Sequence, residues 1–307
     1  MMPRISPLLA ALLSVATADA FAGQTVSLPA WVCARPDAVF RGGFENADGA
    51  VPHDPSLGSG GAYPGFKTAQ VSVPGLGTQP YYLYIPTNYS PAHSWPLLLA
   101  LHGAGGPGTA DAAAQQVRAD WSGIAGGLGV IVVTPVGTDG MGGGWIAPLS
   151  ATDHPTDYDI LAKVVGNVEA AYNIERTRVY GWGYSAGGHV MHSLALNGYN
   201  ATLNADSIAA YAVSAGVLAG WACRSLDDTQ CQQQVLMPAL RKVPVDIHVG
   251  NTDSLLSYAQ ADEADLAASG WTLGGTLFYT VFSGGHIYTL THLQQAWLSM
   301  CSSAVTP

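Results

Sequence analysis

Basic residues are scarce in this sequence. Lys and Arg together number 11, against 21 Asp and Glu in 307 residues, and the formal net charge is -10. Proteins that bind nucleic acids neutralise phosphates with clustered Lys and Arg. The composition therefore excludes a typical nucleic-acid-binding protein and disfavours any other polyanionic partner.

Long hydrophobic runs are absent after the N-terminus. The chain begins MMPRISPLLAALLSVATADAFAGQ, with one Arg, an apolar stretch from Leu8 to Val15, and small residues at Ala18, Ala20 and Ala22. A membrane span needs about 20 apolar residues, so the alternative of a membrane anchor is disfavoured. The pattern is typical of a cleaved secretory signal peptide. We predict a signal peptide over residues 1–22 and a secreted protein, extracellular or periplasmic, without membrane contact after cleavage.

Cysteine is also rare, with four residues in the chain. Four cysteines in an exported protein allow three disulfide connectivities. Cys223 and Cys231 are eight residues apart, whereas Cys33 and Cys301 lie near the two ends of the mature chain. We therefore expect one local link and one link between the chain ends. A zinc site is the alternative, but no CxxC spacing supports it.

The chain divides into two regions after the signal peptide. Residues 23–67 are rich in Gly, Pro, Asp and Ala and show little periodicity, which is typical of an extended arm on the surface. No internal repeat, low-complexity linker or appended binding module is recognisable in the remainder. We predict an N-terminal arm over residues 23–67 and a single domain over residues 68–307.

Strand and helix patterns alternate through this domain. The stretches WPLLLALHG and LGVIVVTPVG are short, continuous apolar runs of the kind found in buried parallel strands. The segment from Asp157 to Asn173 carries a helical apolar stripe, with Thr156 and Asp157 as capping candidates. Further strand and helix patterns follow to the C-terminus. The alternation predicts an α/β fold with a doubly wound, mostly parallel sheet and helices on both faces.

A lone serine lies between glycines at the end of one predicted strand. Gly183, Tyr184, Ser185, Ala186 and Gly187 match the pattern GxSxG just before a predicted helix. In this context the serine lies on a sharp strand-to-helix turn and its hydroxyl is exposed at the sheet edge. The flanking glycines are needed because a Cβ at either position would collide with neighbouring backbone. The motif makes Ser185 the candidate nucleophile.

A second glycine-rich segment, LHGAGG, directly follows the strand LLLAL. Loops at this position supply a backbone donor to an oxyanion hole. We expect the N–H groups of Ala104 and Ala186 to stabilise the developing oxyanion, and His102 to brace the loop through its ring nitrogens. The alternative is an ordinary glycine-rich connection without a catalytic role.

The acid and the base should each follow a later strand. Asp253 lies four residues after the strand end at Val249, and His286 lies four residues after Phe282. Asp246 and His248 fall inside a predicted strand and should not reach the catalytic edge. Three further histidines are assigned structural roles because they lie on predicted helices: His189, His192 and His292.

Together these segments resemble a known family, the secreted α/β-hydrolase esterases that include polyhydroxybutyrate depolymerase-like and feruloyl esterase-like enzymes. The resemblance covers roughly Val71 to Trp297 and is carried by YYLYIP, PLLLALHGAGG, YNIERTRVYGWGYSAGG, HVGNTDSLLSYAQ and SGGH. It implies the α/β-hydrolase fold and a triad of Ser185, Asp253 and His286. Tyr184 departs from the family, whose members often carry Met or Leu there.

These features predict a serine hydrolase that cleaves a small or oligomeric carboxylic ester through an acyl-enzyme, without metal or cofactor. Trp145 is a candidate wall of the acyl or alcohol pocket, with packing under its loop as the alternative, and Tyr184 is a second pocket candidate. We also expect the Cys223–Cys231 link to shape a wall of the substrate entrance. A peptidase of the same fold and a non-catalytic binding protein remain alternative functions.

Overall fold

The structure is a computed structural model that describes residues 23–28, 33 and 52–307. The predicted signal peptide, residues 1–22, lies outside the described residues. So do residues 29–32 and 34–51 of the predicted N-terminal arm.

Eight strands form one twisted sheet in the order β2-β3-β5-β4-β6-β7-β8-β9. From β5 to β9 all neighbouring strands are parallel, and β3 is antiparallel to both β2 and β5. Two short strands, β1 and β10, pair antiparallel in a separate sheet. The strands are β1 Thr25–Ser27, β2 Gly65–Val73, β3 Gly77–Ile85, β4 Trp95–Leu101, β5 Ile131–Pro135, β6 Ile174–Tyr184, β7 Ile208–Ser214, β8 Val245–Gly250, β9 Leu277–Phe282 and β10 Ser303–Val305.

Helices cover both faces of the sheet. They are α1 Ala110–Leu128, α2 Asp157–Ala171, α3 Ala186–Asn197, α4 Asp228–Cys231, α5 Leu256–Ala268 and α6 Leu290–Met300. A 3-10 turn spans Leu218–Gly220, and a π-helical turn, Gln232–Leu236, follows α4. None of the helices in the described ranges combines the length and the apolar character that a membrane crossing requires.

The apolar run WPLLLAL shows why the sheet needs two helical layers. All seven residues of β4 are buried. Leu98 packs in a cluster with residues of α1 and α6, whereas Leu97 and Leu99 pack in a second cluster with residues of α2, α3 and α5. Successive strand residues point to opposite faces, so a continuous apolar run requires cover on both sides. The predicted doubly wound α/β architecture is confirmed.

The start of α2 is encoded locally. Thr156 is the N-cap, its side chain accepts from the Tyr158 N–H, and the Asp159 side chain accepts from the Thr156 N–H. This reciprocal pair is a capping box. The predicted capping by Thr156 is therefore confirmed, whereas Asp157 directs its carboxylate into a neighbouring loop.

The N-terminal arm is shorter than predicted. Strand β2 begins at Gly65, three residues before the predicted boundary, and pairs with β3 along its whole length. Preceding residues attach to the amino end of β6, where Pro55 bridges Glu175 and the Ser56 N–H donates to the Ile174 carbonyl. The turn pair Pro64–Gly65 marks the true start of the strand, whereas the predicted boundary lay after Lys67.

All four cysteines are paired. Cys33 is linked to Cys301 and Cys223 to Cys231, which is the connectivity preferred from the spacing. No thiolate therefore remains for a zinc ion.

The Cys223–Cys231 link lies beside the C-terminal end of α3. The chain between β7 and the link ends at Ala222, whose carbonyl accepts a hydrogen bond of 3.0 Å from Asn197 Nδ2. Asn197 is the last residue of α3 and lies roughly 18 Å along the helix axis from Ser185. Residues next to Cys223 line a surface cleft of about 690 Å³ whose lining does not include Ser185. The Cys223 N–H also donates to the Leu218 carbonyl at 2.8 Å, next to Val217, which contacts His189 in the first part of α3. The expected entrance wall therefore stays a prediction.

Candidate active site

Ser185 lies on a strained turn between β6 and α3. Its φ is 52°, in the left-handed region that residues with a side chain rarely adopt. A Cβ on Gly183 would lie 2.2 Å from the Gly187 carbonyl oxygen, and one on Gly187 would lie 2.4 Å from the Leu101 carbonyl oxygen. The glycines of GxSxG thus allow the turn to form, and the half-buried serine points its hydroxyl to the sheet edge.

His286 joins Ser185 and Asp253 by hydrogen bonds. His286 Nε2 lies 2.8 Å from Ser185 Oγ, and Nδ1 lies 2.9 Å and 3.1 Å from the two carboxylate oxygens of Asp253. These separations are within reach for proton transfer by a general base. Asp253 is only 6% exposed, whereas the His286 side chain is 39% exposed. The base is therefore open to a substrate while its carboxylate partner is shielded from water.

The loops that carry Asp253 and His286 are tied to each other. Both follow neighbouring parallel strands, β8 and β9. The N–H and the hydroxyl of Thr252 donate to the Gly284 carbonyl at 2.9 Å and 2.8 Å, and the Gly284 N–H donates to Asn251 Oδ1 at 3.1 Å. The distance between carboxylate and imidazole is thus held by hydrogen bonds between the two loops as well as by their own bond.

The predicted oxyanion-hole residues flank the nucleophile. Ala186 is the first residue of α3, so its N–H has no partner within the helix. Ala104 is exposed in the loop after β4, and within the described part of the chain its N–H has no acceptor. A Cβ on the adjacent Gly103 would lie 3.2 Å from Ser185 Cβ, so this loop lies directly against the nucleophile.

His102 is a structural residue, as expected. It is fully buried, its Nδ1 lies 2.8 Å from the Gly103 carbonyl oxygen, and its Nε2 accepts from the Gly137 N–H at 3.0 Å. Burial lowers the pKa of His102, and the bond to Gly103 opposes that effect. The ring therefore stays neutral, which it must be in order to donate at one nitrogen and accept at the other.

The two pocket candidates, Trp145 and Tyr184, have different environments. Trp145 is 3% exposed, stacks on His102 with 4.6 Å between ring centroids, and donates from Nε1 to the His102 carbonyl at 2.8 Å. This environment matches the alternative in which Trp145 packs under its loop. Tyr184 is half-buried and donates from its hydroxyl to the His286 carbonyl at 2.6 Å, so its hydroxyl contacts the histidine loop.

The rival acid and base pair with each other inside β8. Asp246 Oδ2 lies 2.9 Å from His248 Nε2 and accepts a hydrogen bond from Ser299 Oγ of α6 at 2.7 Å. Both residues are buried. They therefore face the helix layer rather than the edge of the sheet that carries Ser185.

The remaining histidines on helices have neighbours in the core. His189 Nδ1 accepts from the Val217 N–H at 2.9 Å, and His192 Nδ1 lies 3.0 Å from the Tyr211 hydroxyl. Burial lowers the pKa of both, that of His192 to about 3. His292 lies against the Phe282 ring. These environments match the structural roles assigned from their helical positions.

Sequence reasoning placed the loop between β5 and α2 near the site through Trp145, but it missed the contact of this loop with the segment that carries Ala104. Its residues Gly142 and Gly144 lie against the segment that carries Ala104. The run GMGGGW was visible as a cluster of small residues, but such a cluster does not identify its contact partner.

In sequence, part of the chain is similar to a known esterase. No protein-family model matches the chain. A stretch of 186 residues, 59% of the chain, is 30% identical to the bifunctional acetylxylan esterase/xylanase of Neocallimastix patriciarum. The match spans 22% of that protein, so the chain corresponds to about a fifth of its length.

Solved structures resemble the chain over most of its length. A ferulic acid esterase superposes with a TM-score of 0.56 and 17% identity, over 77% of this chain and 98% of its own. The dipeptidyl peptidase 4 of Porphyromonas gingivalis gives a TM-score of 0.54 and 14% identity, over 78% of this chain and 35% of its own. The sheet order, the strand-to-helix turn at Ser185 and these superpositions lead to one conclusion: the chain has the α/β-hydrolase fold.

Proposed function

We propose that the protein is a secreted serine hydrolase that cleaves carboxylic esters through an acyl-enzyme. The observation that carries the proposal is the position of His286 between Ser185 and Asp253, at 2.8 Å and 2.9 Å. A nucleophile, a base and an orienting carboxylate in hydrogen-bond contact are the arrangement that serine hydrolases need.

The reaction begins with attack of Ser185 Oγ on the ester carbonyl carbon, while His286 Nε2 takes the hydroxyl proton. The carbonyl electron pair moves to oxygen, where the N–H groups of Ala104 and Ala186 stabilise the charge. The tetrahedral intermediate collapses, the bond to the alcohol oxygen breaks, and His286 returns the proton to the leaving alcohol. Water then attacks the acyl-enzyme by the same route and releases the acid.

Asp253 acts through His286 rather than on the substrate. Its carboxylate accepts the Nδ1–H of His286, which leaves Nε2 free to accept the serine proton. The carboxylate also accepts from the Leu255 N–H at 2.9 Å, which fixes its orientation. It thereby stabilises the imidazolium that forms during each proton transfer.

Several observations bear on the substrate class. The His286 side chain is 39% exposed, so the base is in contact with solvent. A relative named as an acetylxylan esterase supports ester substrates. We propose esters with a short acyl, hydroxyalkanoate-oligomer or feruloyl-type group as substrates.

The proposed secretion is supported by the two disulfide bonds, which form in oxidising compartments.

The test is hydrolysis by the purified mature chain of a panel of p-nitrophenyl acyl esters, methyl ferulate, soluble hydroxybutyrate oligomers and a peptide anilide. We expect turnover of esters and stoichiometric labelling by a fluorophosphonate. Cleavage of the peptide anilide alone would contradict the proposal and favour a peptidase.

A matched pair of variants identifies the nucleophile. Ser185→Ala should abolish labelling and lower turnover by about 10⁶-fold, as comparable changes do in another serine hydrolase. Ser254→Ala removes an exposed serine next to Asp253 and should leave both unchanged. Labelling that persists in Ser185→Ala would show that another serine is the nucleophile.

A further inference from the structure

The loop Gly137–Trp145, here called the buttress loop, holds its own shape. Asp139 Oδ1 accepts from the N–H groups of Met141 and Gly142 at 3.1 Å and 3.0 Å. The Gly143 N–H donates to the Asp139 carbonyl at 2.7 Å. An Asp side chain that binds backbone N–H groups two and three residues ahead stabilises a turn. The sequence GTDGMGGGW therefore encodes a closed loop rather than a loose connection.

A buried carboxylate fixes the base of the buttress loop. Asp157 Oδ2 accepts from the Thr138 N–H at 3.0 Å and from the Ile146 N–H at 2.8 Å, on the two sides of the loop. Asp157 is fully buried at the start of α2. Burial raises its pKa, and the bonds from Thr138 and Ile146 oppose that effect. The loop is thus attached to a helix at both of its ends.

The buttress loop also contacts the Ala104 segment on both sides. Before Ala104, Trp145 Nε1 donates to the His102 carbonyl at 2.8 Å, and the Gly137 N–H donates to His102 Nε2 at 3.0 Å. After it, the Gly106 N–H donates to the Gly142 carbonyl at 2.9 Å. Three hydrogen bonds therefore set where the segment 102–106 runs.

Gly144 lies against both predicted oxyanion-hole residues. A Cβ built on Gly144 would lie 3.0 Å from Ala104 Cβ and 3.6 Å from Ala186 Cβ. The backbone of Gly144 is not in the left-handed region, so alanine is compatible with its conformation. A methyl carbon at 3.0 Å must displace its neighbour by a few tenths of an ångström. Because Ala104 Cβ is bonded directly to the backbone, the Ala104 N–H moves with it.

From these contacts we infer that the buttress loop positions the Ala104 donor of the oxyanion hole, and that Gly144 is a positioning residue whose missing side chain sets that position. The inference rests on the proposed ester hydrolysis, because it concerns the group that would bind the oxyanion. Catalytic groups act well only within about 0.5 Å of their productive geometry. Loss of one oxyanion donor costs about 10²- to 10³-fold in kcat, and a displaced donor should retain part of its effect.

The loop itself offers a matched control. Gly140 lies in the same loop, its backbone is not in the left-handed region, and a Cβ there would meet no heavy atom within 4 Å. Gly140→Ala therefore makes the same chemical change without the contact to Ala104. It should hydrolyse esters at the wild-type rate.

The first experiment measures kcat and KM of Gly144→Ala, Gly140→Ala and wild type for p-nitrophenyl acetate, butyrate and octanoate. In Gly144→Ala we expect kcat to fall by about 3- to 10-fold, by the same factor for every acyl length, with KM unchanged within about twofold. An unchanged kcat would overturn the inference. A loss that grows with acyl length would also overturn it, since Gly144 would then line the acyl site.

A second measurement uses an alkyl trifluoromethyl ketone. Ser185 Oγ adds to its carbonyl carbon, the serine proton passes to His286, and the carbonyl oxygen becomes an oxyanion in the hole. The inhibition constant should rise in Gly144→Ala by about the factor by which kcat/KM falls, because both report binding of the oxyanion. An unchanged inhibition constant would contradict a displaced donor.

A double variant tests the contact itself. Ala104→Gly removes the Cβ that Gly144→Ala would press against. The pair Ala104→Gly/Gly144→Ala should therefore regain the kcat of Ala104→Gly alone, and it should fold even if the single Gly144→Ala does not. Absence of this rescue would overturn the inference. If wild type and Gly140→Ala both fail to hydrolyse any ester, the proposed function fails; if they are active and Gly144→Ala equals them, only this inference fails.

Discussion

The hydroxyl of Tyr184 donates a hydrogen bond of 2.6 Å to the backbone carbonyl of His286. Tyr184 directly precedes the candidate nucleophile, and its ring centroid also lies 5.3 Å from that of His286 and 4.9 Å from that of Tyr288. The contact joins the serine turn to the histidine loop, which are 102 residues apart in sequence. Tyr184 thus fixes the two reacting side chains relative to each other.

Tyr184→Phe keeps the ring contacts and removes this hydrogen bond. We expect kcat for p-nitrophenyl esters to fall by about 3- to 10-fold, because the histidine loop loses one anchor, and stability to fall by about 1 kcal/mol. Steady-state kinetics and thermal unfolding measure the two effects. Tyr258→Phe, at an exposed tyrosine on α5, is the control and should retain wild-type kcat; equal losses in both variants would contradict a specific role for Tyr184.

Asp253 and Asp246 each pair with a histidine, but their replacement should have different effects. Asp253→Asn should lower kcat by about 10⁴-fold, because the amide no longer fixes the required His286 tautomer. Asp246→Asn alters the buried pair with His248, which faces α6, and should change stability but not kcat. The opposite pattern, or abolition of turnover by His248→Gln, would show that Asp246 and His248 are the catalytic acid and base.

Removal of the Cys223–Cys231 link should affect stability more than catalysis. The double variant Cys223→Ala/Cys231→Ala opens a small loop, and the chain-entropy estimate for such a loop is somewhat under about 3 kcal/mol. Because the link lies beside the C-terminal end of α3, kcat and KM should stay within about twofold of wild type. Denaturant unfolding and ester kinetics measure both. A shift of several-fold in KM at unchanged stability would place the link at the substrate entrance after all.

Asp262 should make stability depend on pH. It is 5% exposed on α5 and accepts from the Leu218 N–H at 2.9 Å. Burial raises its pKa from 3.8 to about 7, against the effect of the Leu218 bond. The folded protein therefore retains a proton that the unfolded chain has lost between these values. Its stability should fall as pH rises through this window, by at most about 1.4 kcal/mol per pH unit.

Asp262→Asn tests this pH dependence. The amide can still accept from Leu218 but carries no charge, so the unfolding free energy should change less with pH than that of wild type, and the variant should be the more stable protein above about pH 7. Urea unfolding across this range measures it. Asp153→Asn removes an exposed carboxylate that does not act on Asp262 and should keep the wild-type slope. Identical slopes in wild type and Asp262→Asn would disprove the raised pKa.

The sequence by itself determined the features that depend on neighbouring residues. The Ser185 turn follows from glycines two residues away on either side, since any Cβ there meets backbone. The cap at Thr156 depends on a residue three positions later, and the continuous apolar run of β4 dictates burial on both faces. The positions of Asp253 and His286 after β8 and β9 follow from where those strands end.

Tertiary structure decided the features that depend on partners far away in the chain. The order β2-β3-β5-β4, the burial of Trp145 against His102 and the attachment of the buttress loop to Asp157 all join segments that no local pattern connects. The sequence separates Asp246, inside β8, from Asp253, after it, but only packing gives each carboxylate its partner, Ser299 of α6 for Asp246 and His286 for Asp253. Local sterics and hydrogen bonding act over a few residues, whereas side-chain burial and pairing depend on which surfaces the folded sheet brings together.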